Sequence, residues 1–367
     1  MAENRKKKNR KKLPWWITPV ILLAVLAIRL GGEALGRGFQ WLSDSQTSES
    51  AITAQKVPSD ETLTVRFLDV GQGDSILLAC GDETMLIDGG PVEEGQFLVS
   101  RLNRLDVTEL TYVVNTHPDE DHCGGLAAVL AKYPAEHVYS SVTEYTTKVF
   151  SNVVKYADEQ GHPVEVPQTG DSWTLGSASV QVIGPVQTYS DPNNGSLVLR
   201  VDYGGTSFLF TGDMEQKAET DLMSSGANVQ ADVLKAGHHG SPTSSSEAFL
   251  EAVAPSIAVI SVGEDNDYGH PSADVLARLE ALGATIYRTD TQGEIIITSD
   301  GQTLTVTTDP TSREPAAGKD APFIGNRNSM IVHSANCAKL PGEDNRVYFN
   351  TAEEAEEYGY QKHTCIK

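Results

Sequence analysis

The stretch THPDEDHCGG, residues 116–125, constrains the fold more than any other part of this chain. It places His117, Asp119, Asp121 and His122 within one short segment that also holds Pro118, so it reads as a loop aiming several ligands at one point rather than as a helix face. Imidazoles mixed with carboxylates are the donor set of a metal centre. The flanking residues fix where such a loop must sit. ELTYVVNT before it is a buried strand, and GLAAVLAKY after it begins a helix.

The same pattern recurs along the chain. TLTVRFLDV, DSILLAC and TMLIDGG read as short strands separated by turns, and a helical stretch follows near residues 96–105. SLVLRVDYGGTSFLFTGD is a hairpin turning at Gly204-Gly205, while ADVLKAGHHGS and IAVISVG are further strands that end in polar residues. These ends supply Asp213 in FTGDM, His238 and His239 in GHHGS, and His270 in YGHP. Each alone has a simpler role, since a histidine at a strand end is commonly just solvated and Asp213 could cap a following helix. Together they call for an α/β sandwich whose strands end at a common site.

Other residues are less telling. The glycines of DVGQGDS, 69–75, allow a tight turn and close backbone approach. Cys123 reads as a small apolar residue starting a helix, and Lys235 as either a contact to a substrate phosphate or an ordinary exposed lysine. His137 and His162 fit no cluster and read as surface residues.

Outside this region the chain divides by composition. Residues 1–12 carry seven Lys/Arg and should stay cytoplasmic, and 13–34 contain the apolar run WWITPVILLAVLAI, read as a signal anchor or transmembrane helix with no clean cleavage site behind it. Cleavage would instead release the protein. A Ser/Thr- and acid-rich linker spans 35–61, the main α/β domain 62–309, a second linker 310–322, and a small α+β tail 323–367. The formal charge is -22, and because residues 1–32 hold eight of the basic side chains and one acid, the remainder stands at -29. Such a surface repels polyanions, which excludes broad electrostatic binding of nucleic acid and leaves any phosphate to metal ions and a local patch.

The motif resembles the His-x-His-x-Asp-His signature of metallo-β-lactamase-fold hydrolases. LDVGQGDSILL, THPDEDHCGG, NGSLVLR, FTGD, LKAGHHGS and YGHP, in that order across residues 62–308, resemble the extracellular hydrolase domain of ComEC-type DNA-internalisation proteins. The resemblance implies an αββα sandwich, two divalent ions (Mn²⁺ or Zn²⁺, with Mg²⁺ a further option) and hydrolysis by a metal-bound hydroxide. His117, Asp119, Asp121, His122 and Asp213 are the implied ligands, Asp213 bridging, with the second site completed by His270, the favoured choice, or by one of His238 and His239. Asp121 and one of His238 and His239 would act in catalysis, the histidine by protonating the leaving group. Asp69, Gln72, Asp74, Asn194, Ser196, Lys235 and Ser241 would contact substrate. Two departures matter: Asp119 stands where most members have a second histidine, and Asn194 and Ser196 lie where a third is expected. The oxygen-rich first site that results favours Mn²⁺ or Mg²⁺.

The tail resembles a small Ada-type zinc-binding module, with His333 and Cys337 matching the first ligand pair. His363 and Cys365 stand one residue apart where that module has Cys-x2-Cys, so a structural zinc and a Cys337–Cys365 disulfide both remain open, each able to stabilise so small a unit.

The leading expectation is a membrane-anchored, outward-facing phosphodiesterase or nuclease acting on DNA. With one apolar span at most it could not import DNA itself, so a separate uptake channel would be its partner. Alternatives are a hydrolase of an envelope phosphodiester, an ester or a lactone, and a catalytically silent surface binding protein. The sequence carries no sign of oligomeric state.

Overall fold

The computed structural model describes residues 61–313, 321–326, 328–358 and 360–366. The basic segment 1–12, the expected anchor 13–34 and the linker up to residue 60 lie outside these. Among the described residues no helix is long and apolar enough to cross a membrane.

Strands β1 (Leu63–Phe67), β2 (Ile76–Cys80), β3 (Glu83–Ile87), β4 (Leu110–Asn115) and β5 (Ala135–Ser140) build most of one sheet. The chain then lays down a second sheet from β6 (Ser172–Leu175), β7 (Ala178–Gly184), β8 (Val198–Tyr203), β9 (Thr206–Phe210), β10 (Val233–Lys235), β11 (Ile257–Ile260) and β12 (Thr285–Arg288). It returns to the first with β13 (Glu294–Ser299) and β14 (Leu304–Asp309), giving the orders β14-β13-β1-β2-β3-β4-β5 and β12-β11-β10-β9-β8-β7-β6. Apolar residues from both inner faces, among them Leu63, Val65, Phe67, Leu199, Val201 and Phe208, form one core between the sheets.

Helices cover the outer faces. Helices α1 (Gly95–Arg104), α2 (Glu120–Cys123), α3 (Leu126–Lys132) and α4 (Lys148–Gln160) lie on the first sheet. The second is covered by α5 (Gln216–Ser224), α6 (Glu247–Val253) and α7 (Ala273–Ala281), followed by the short α8 (Thr289–Gln292). Alternation explains why β1 can serve both layers: Leu63, Val65 and Phe67 are buried while Thr64 and Arg66 are half-buried. Arg66 reaches the fully buried Glu294 of β13 at 2.8 Å, and Arg101 of α1 meets the same carboxylate at 2.7 Å, which ties helix to sheet.

Topology gathers the polar clusters at one edge. β4 runs parallel to β3 and β5, and β10 is parallel to both β9 and β11, with Lys235 aligned to Phe210 and Val259. The segments leaving β4, β9, β10 and β11 therefore carry the motif, Asp213, the histidine pair and the loop to His270. One detail differs from the expectation: residues 120–123 form a helical turn, α2, so Asp121 and His122 are helical rather than looped.

Beyond the second linker, β15 (Phe323–Asn326), β16 (Ile331–Ser334), β17 (Arg346–Phe349) and β18 (Gln361–Lys362) form a small sheet ordered β17-β15-β16-β18. Helix α9 (Ala352–Glu357) starts with a capping box, Thr351 and Glu354 each satisfying the other's backbone. The Arg104 guanidinium of α1 lies 4.1 Å from the Tyr358 ring centroid, linking this module to the main domain.

Candidate metal centre

Close backbone packing holds the motif in place. Gly73 adopts φ +153, and a Cβ there would stand 2.3 Å from the carbonyl oxygen of Asp121, so only glycine lets the 69–75 loop reach the motif. The Asp74 amide then donates to that same carbonyl at 3.1 Å. On the other side a Cβ on Gly125 would meet the Gly89 carbonyl oxygen at 2.2 Å, which explains the glycines that close the motif.

Three imidazoles are each anchored through Nδ1, leaving Nε2 for a common centre. His117 Nδ1 lies 3.1 Å from Thr116 Oγ1 and 3.4 Å from Ser196 Oγ. His122 Nδ1 faces Asp88 Oδ2 at 2.9 Å, and His239 Nδ1 faces the Ser261 carbonyl at 3.0 Å. Outer partners of this kind fix ring orientation and tautomer in metal sites. Asp88 is itself held by the Thr116 amide and hydroxyl, both at 2.7 Å, and by Asn115 at 3.1 Å.

The carboxylates converge on the free nitrogens. Asp213 Oδ1 is 3.2 Å from His122 Nε2, and its Oδ2 is 3.4 Å from His239 Nε2 and 3.7 Å from His238 Nε2. Asp121 Oδ2 lies 3.3 Å from His239 Nε2 and 4.0 Å from His122 Nε2, while Asp119 Oδ2 is 3.7 Å from His117 Nε2. Asp74, His122, Asp213 and His239 each offer a donor atom within 4.8 Å of the others.

Charge in the cluster is finely divided. Burial, reinforced by the neighbouring His122, drives His117 down to about 3, so it is neutral with a lone pair to give. Burial opposes charge on His122 and His239, yet Asp213 and the other carboxylates outweigh it and raise both well above ordinary imidazole. Burial likewise opposes charge on Asp213, but His239 and His122 hold it well below the usual carboxylate range, and burial at Asp121 is overcome by the same two histidines, which bring it to about 2. The carboxylates thus favour positive charge at this centre, which a divalent cation would supply. The residues fit such an ion: His117 Nε2 is buried without a hydrogen-bond partner, and nitrogen and oxygen donors of His122, His239, Asp74 and Asp213 lie close together.

His238 and His239 are consecutive residues in the left-handed region, with φ 49 and 53. That conformation is costly without glycine, on the order of 1–2 kcal/mol each. It lets β10 end and both rings turn toward Asp213. His238 is a quarter exposed, and its Nδ1 lies 3.4 Å from both Glu215 Oε1 and Thr243 Oγ1.

Several residues expected at the site have other work. Lys235 and Asp74 were expected to touch substrate, but both are fully buried and pair at 2.5 Å next to His239, because β10 is enclosed between the parallel strands β9 and β11. Asn194 is also buried, its amide spent on Asp191 and Glu215 and its carbonyl oxygen on the Ala218 amide, so it secures the start of α5. Ser196 is buried between His117 Nδ1 and the Asp213 amide, a positioning place rather than a substrate contact. Ser241 is buried in a turn with Thr243. Gln72 accepts from the Gly263 amide at 3.2 Å, and Asp69 faces the Gly71 amide and Arg313. His270 stacks 5.7 Å from the exposed Tyr268 and stands 5.7 Å from the His238 ring, so it borders the cluster, whereas His239 lies inside it.

Asp88, Glu215 and Ser261 escaped the sequence reading. Asp88 had a signal: a carboxylate ending the apolar TMLID strand before Gly-Gly has nowhere to go but a buried partner. Glu215 and Ser261 had none.

In the small module, donor atoms of His333, Cys337, His363 and Cys365 lie within 4.8 Å of one another. The His333 and His363 rings are 4.3 Å apart, and both thiols are free rather than joined.

With this fold and donor set in view, comparison with known proteins places the chain. The metallo-beta-lactamase superfamily model matches residues 68–264, and the chain belongs to that superfamily. Its relatives are more particular. It is 32% identical over 250 residues to ComE operon protein 3 of Bacillus subtilis, covering 63% of this chain and 32% of that one. It is 34% identical over 281 residues to Competence protein ComA of Neisseria gonorrhoeae, covering 76% and 38% respectively. Recombination protein 2 of Haemophilus influenzae is 31% identical over 245 residues, 65% of this chain and 29% of the other. The hydrolase domain is thus of the ComEC type, and the chain spans roughly a third of the length of these relatives.

Proposed function

We propose that this protein is a metal-dependent phosphodiesterase acting on DNA, held outside the cell membrane by its N-terminal apolar segment. The observation that carries the reading is the convergence of the Nδ1-anchored His122 and His239 on Asp121 and Asp213, with the Nδ1-anchored His117 ring 4.1 Å from that of His122. Relatives named for competence and recombination direct it toward DNA. His117 and Asp119 would hold one ion, Asp121, His122 and His239 the other, and Asp213 both. His239 replaces His270 in this assignment because its Nε2 faces Asp121 and Asp213.

Two divalent ions would supply positive charge and an ionisable water. The chain's own residues do the rest. Asp213 keeps the two halves of the site together, Asp88 and Ser261 hold His122 and His239 in their productive tautomers, and Asp119 and Asp121, each about a third exposed, face the substrate side. His238 is placed to protonate the leaving oxygen, with Glu215 and Thr243 orienting its Nδ1. Oxygen-rich donors beside His117 favour Mn²⁺. A structural zinc on His333, Cys337, His363 and Cys365 accounts for two free thiols packed beside two imidazoles better than a disulfide does.

The test is a time course of the full-length chain with Mn²⁺ on end-labelled single- and double-stranded DNA, beside Asp121→Ala. Cleavage by the parent alone supports the reading. Intact DNA with hydrolysis of an envelope phosphodiester, an ester or a lactone would move the activity to that substrate, an outcome the acidic surface favours.

A further inference from the structure

A cavity of about 560 Å³ opens beside the His117 half of the centre, and nothing described so far uses it. Its wall includes Pro118, between His117 and Asp119, together with Gly195 and Leu197 on either side of Ser196, so cavity and metal centre share a boundary. Tyr145 and Tyr189 line it as well. Both are fixed: the Tyr145 ring packs edge-on against the buried Phe150 at 6.4 Å, and the Tyr189 hydroxyl donates to Asp221 at 2.9 Å. Among the described residues that line it there is no Lys, Arg or His, and Asp191 is the sole charged side chain.

Pro118 sits between His117 and Asp119, so a phosphodiester held by those two residues would have this space open to one of its substituents. The lining, with Asp191 its one charge, disfavours a second phosphate and suits an uncharged, flat, polar-edged ring packed against Tyr145, since the Tyr189 ring already carries the Lys217 ammonium 4.7 Å from its centroid. Resting on the phosphodiesterase reading, we infer that the cavity is a nucleobase subsite, occupied by the base adjoining the scissile phosphate. Bases stack on aromatic side chains whatever their identity, so the subsite would favour nucleic acid over other phosphodiesters without reading sequence.

Calorimetric titration of the Mn²⁺-loaded full-length chain tests this with thymidine 3′- and 5′-monophosphate and, as a base-free control, 2-deoxyribose 5-phosphate. The tighter nucleotide should bind at least about tenfold more strongly than the sugar phosphate, Tyr145→Ala should cut that preference below about threefold, and Tyr145→Phe should keep it. Equal affinities in the parent, no binding of either phosphate, or a preference unchanged by Tyr145→Ala would overturn the subsite. The DNA time course separates the two readings. Cleavage without base preference removes the subsite alone, while base-dependent binding without cleavage removes the hydrolase and leaves the subsite standing.

Discussion

Lys235→Met should destabilise this protein sharply although the lysine touches no substrate. Its ammonium lies 2.5 Å from Asp74 Oδ2, and both side chains are within 1% of complete burial. Removing one partner leaves the other charge in a low-dielectric interior, at a cost of about 3–5 kcal/mol. For a domain of this size 1 kcal/mol moves the midpoint by about 2–4 °C, so a fall of about 6–20 °C is expected. Asp74→Asn should cost nearly as much, since it strands the ammonium instead. The double variant Asp74→Asn/Lys235→Met removes both charges and should recover most of the loss, giving a coupling energy of at least about 2 kcal/mol. Thermal unfolding of the metal-depleted full-length chain, followed by circular dichroism, measures all four forms. A Lys235→Met midpoint within a degree or so of the parent, or strictly additive single effects, would refute the argument that this is a buried charged pair.

The same pair predicts an acid response. Burial disfavours charge on Asp74, but Lys235 and His239 hold its pKa well below the usual range, so its stabilisation is complete above the unfolded value of about 3.9 and is lost as pH falls through the folded value. Below about pH 4 the double variant should therefore lose stability less steeply than the parent in acid titrations. Asp88→Asn should weaken metal binding about 10–100-fold in a chelator competition, because His122 loses the acceptor that orients it. Asp213→Ala should abolish both bound metal and turnover, and retention of either, read by elemental analysis and hydrolysis, would sink the shared-ligand assignment. Zinc analysis of Cys337→Ser against the parent should show about one equivalent lost, with proteolysis of the 323–367 module accelerated.

Where information was local, the sequence was readable. The motif, the Gly204-Gly205 hairpin and the polar clusters at strand ends all follow from periodicity and turn chemistry within a few residues. Roles set by long-range packing were not readable. Asp88 meets His122 only because β3 lies parallel to β4, and Lys235 looks like a surface lysine until β9 and β11 enclose β10. His239 enters the cluster from a backbone that is left-handed at His238 and His239, and no spacing rule encodes that. The corrections at Asn194, Ser196 and Lys235 share one cause: each was a polar residue near the centre, and proximity in sequence to a ligand says nothing about which side of it faces solvent.

Left-handed backbone at His238 and His239 has a consequence for laboratory evolution. Replacing His238, a quarter exposed, by glycine would relieve roughly 1 kcal/mol or more of conformational strain while deleting the side chain proposed to protonate the leaving group. Loss of that function is thus partly rewarded by the folding equilibrium. A library of variants screened for heat resistance alone should drift toward glycine at His238, whereas His239 should persist even there, because its loss strands the buried Asp74 and Asp213.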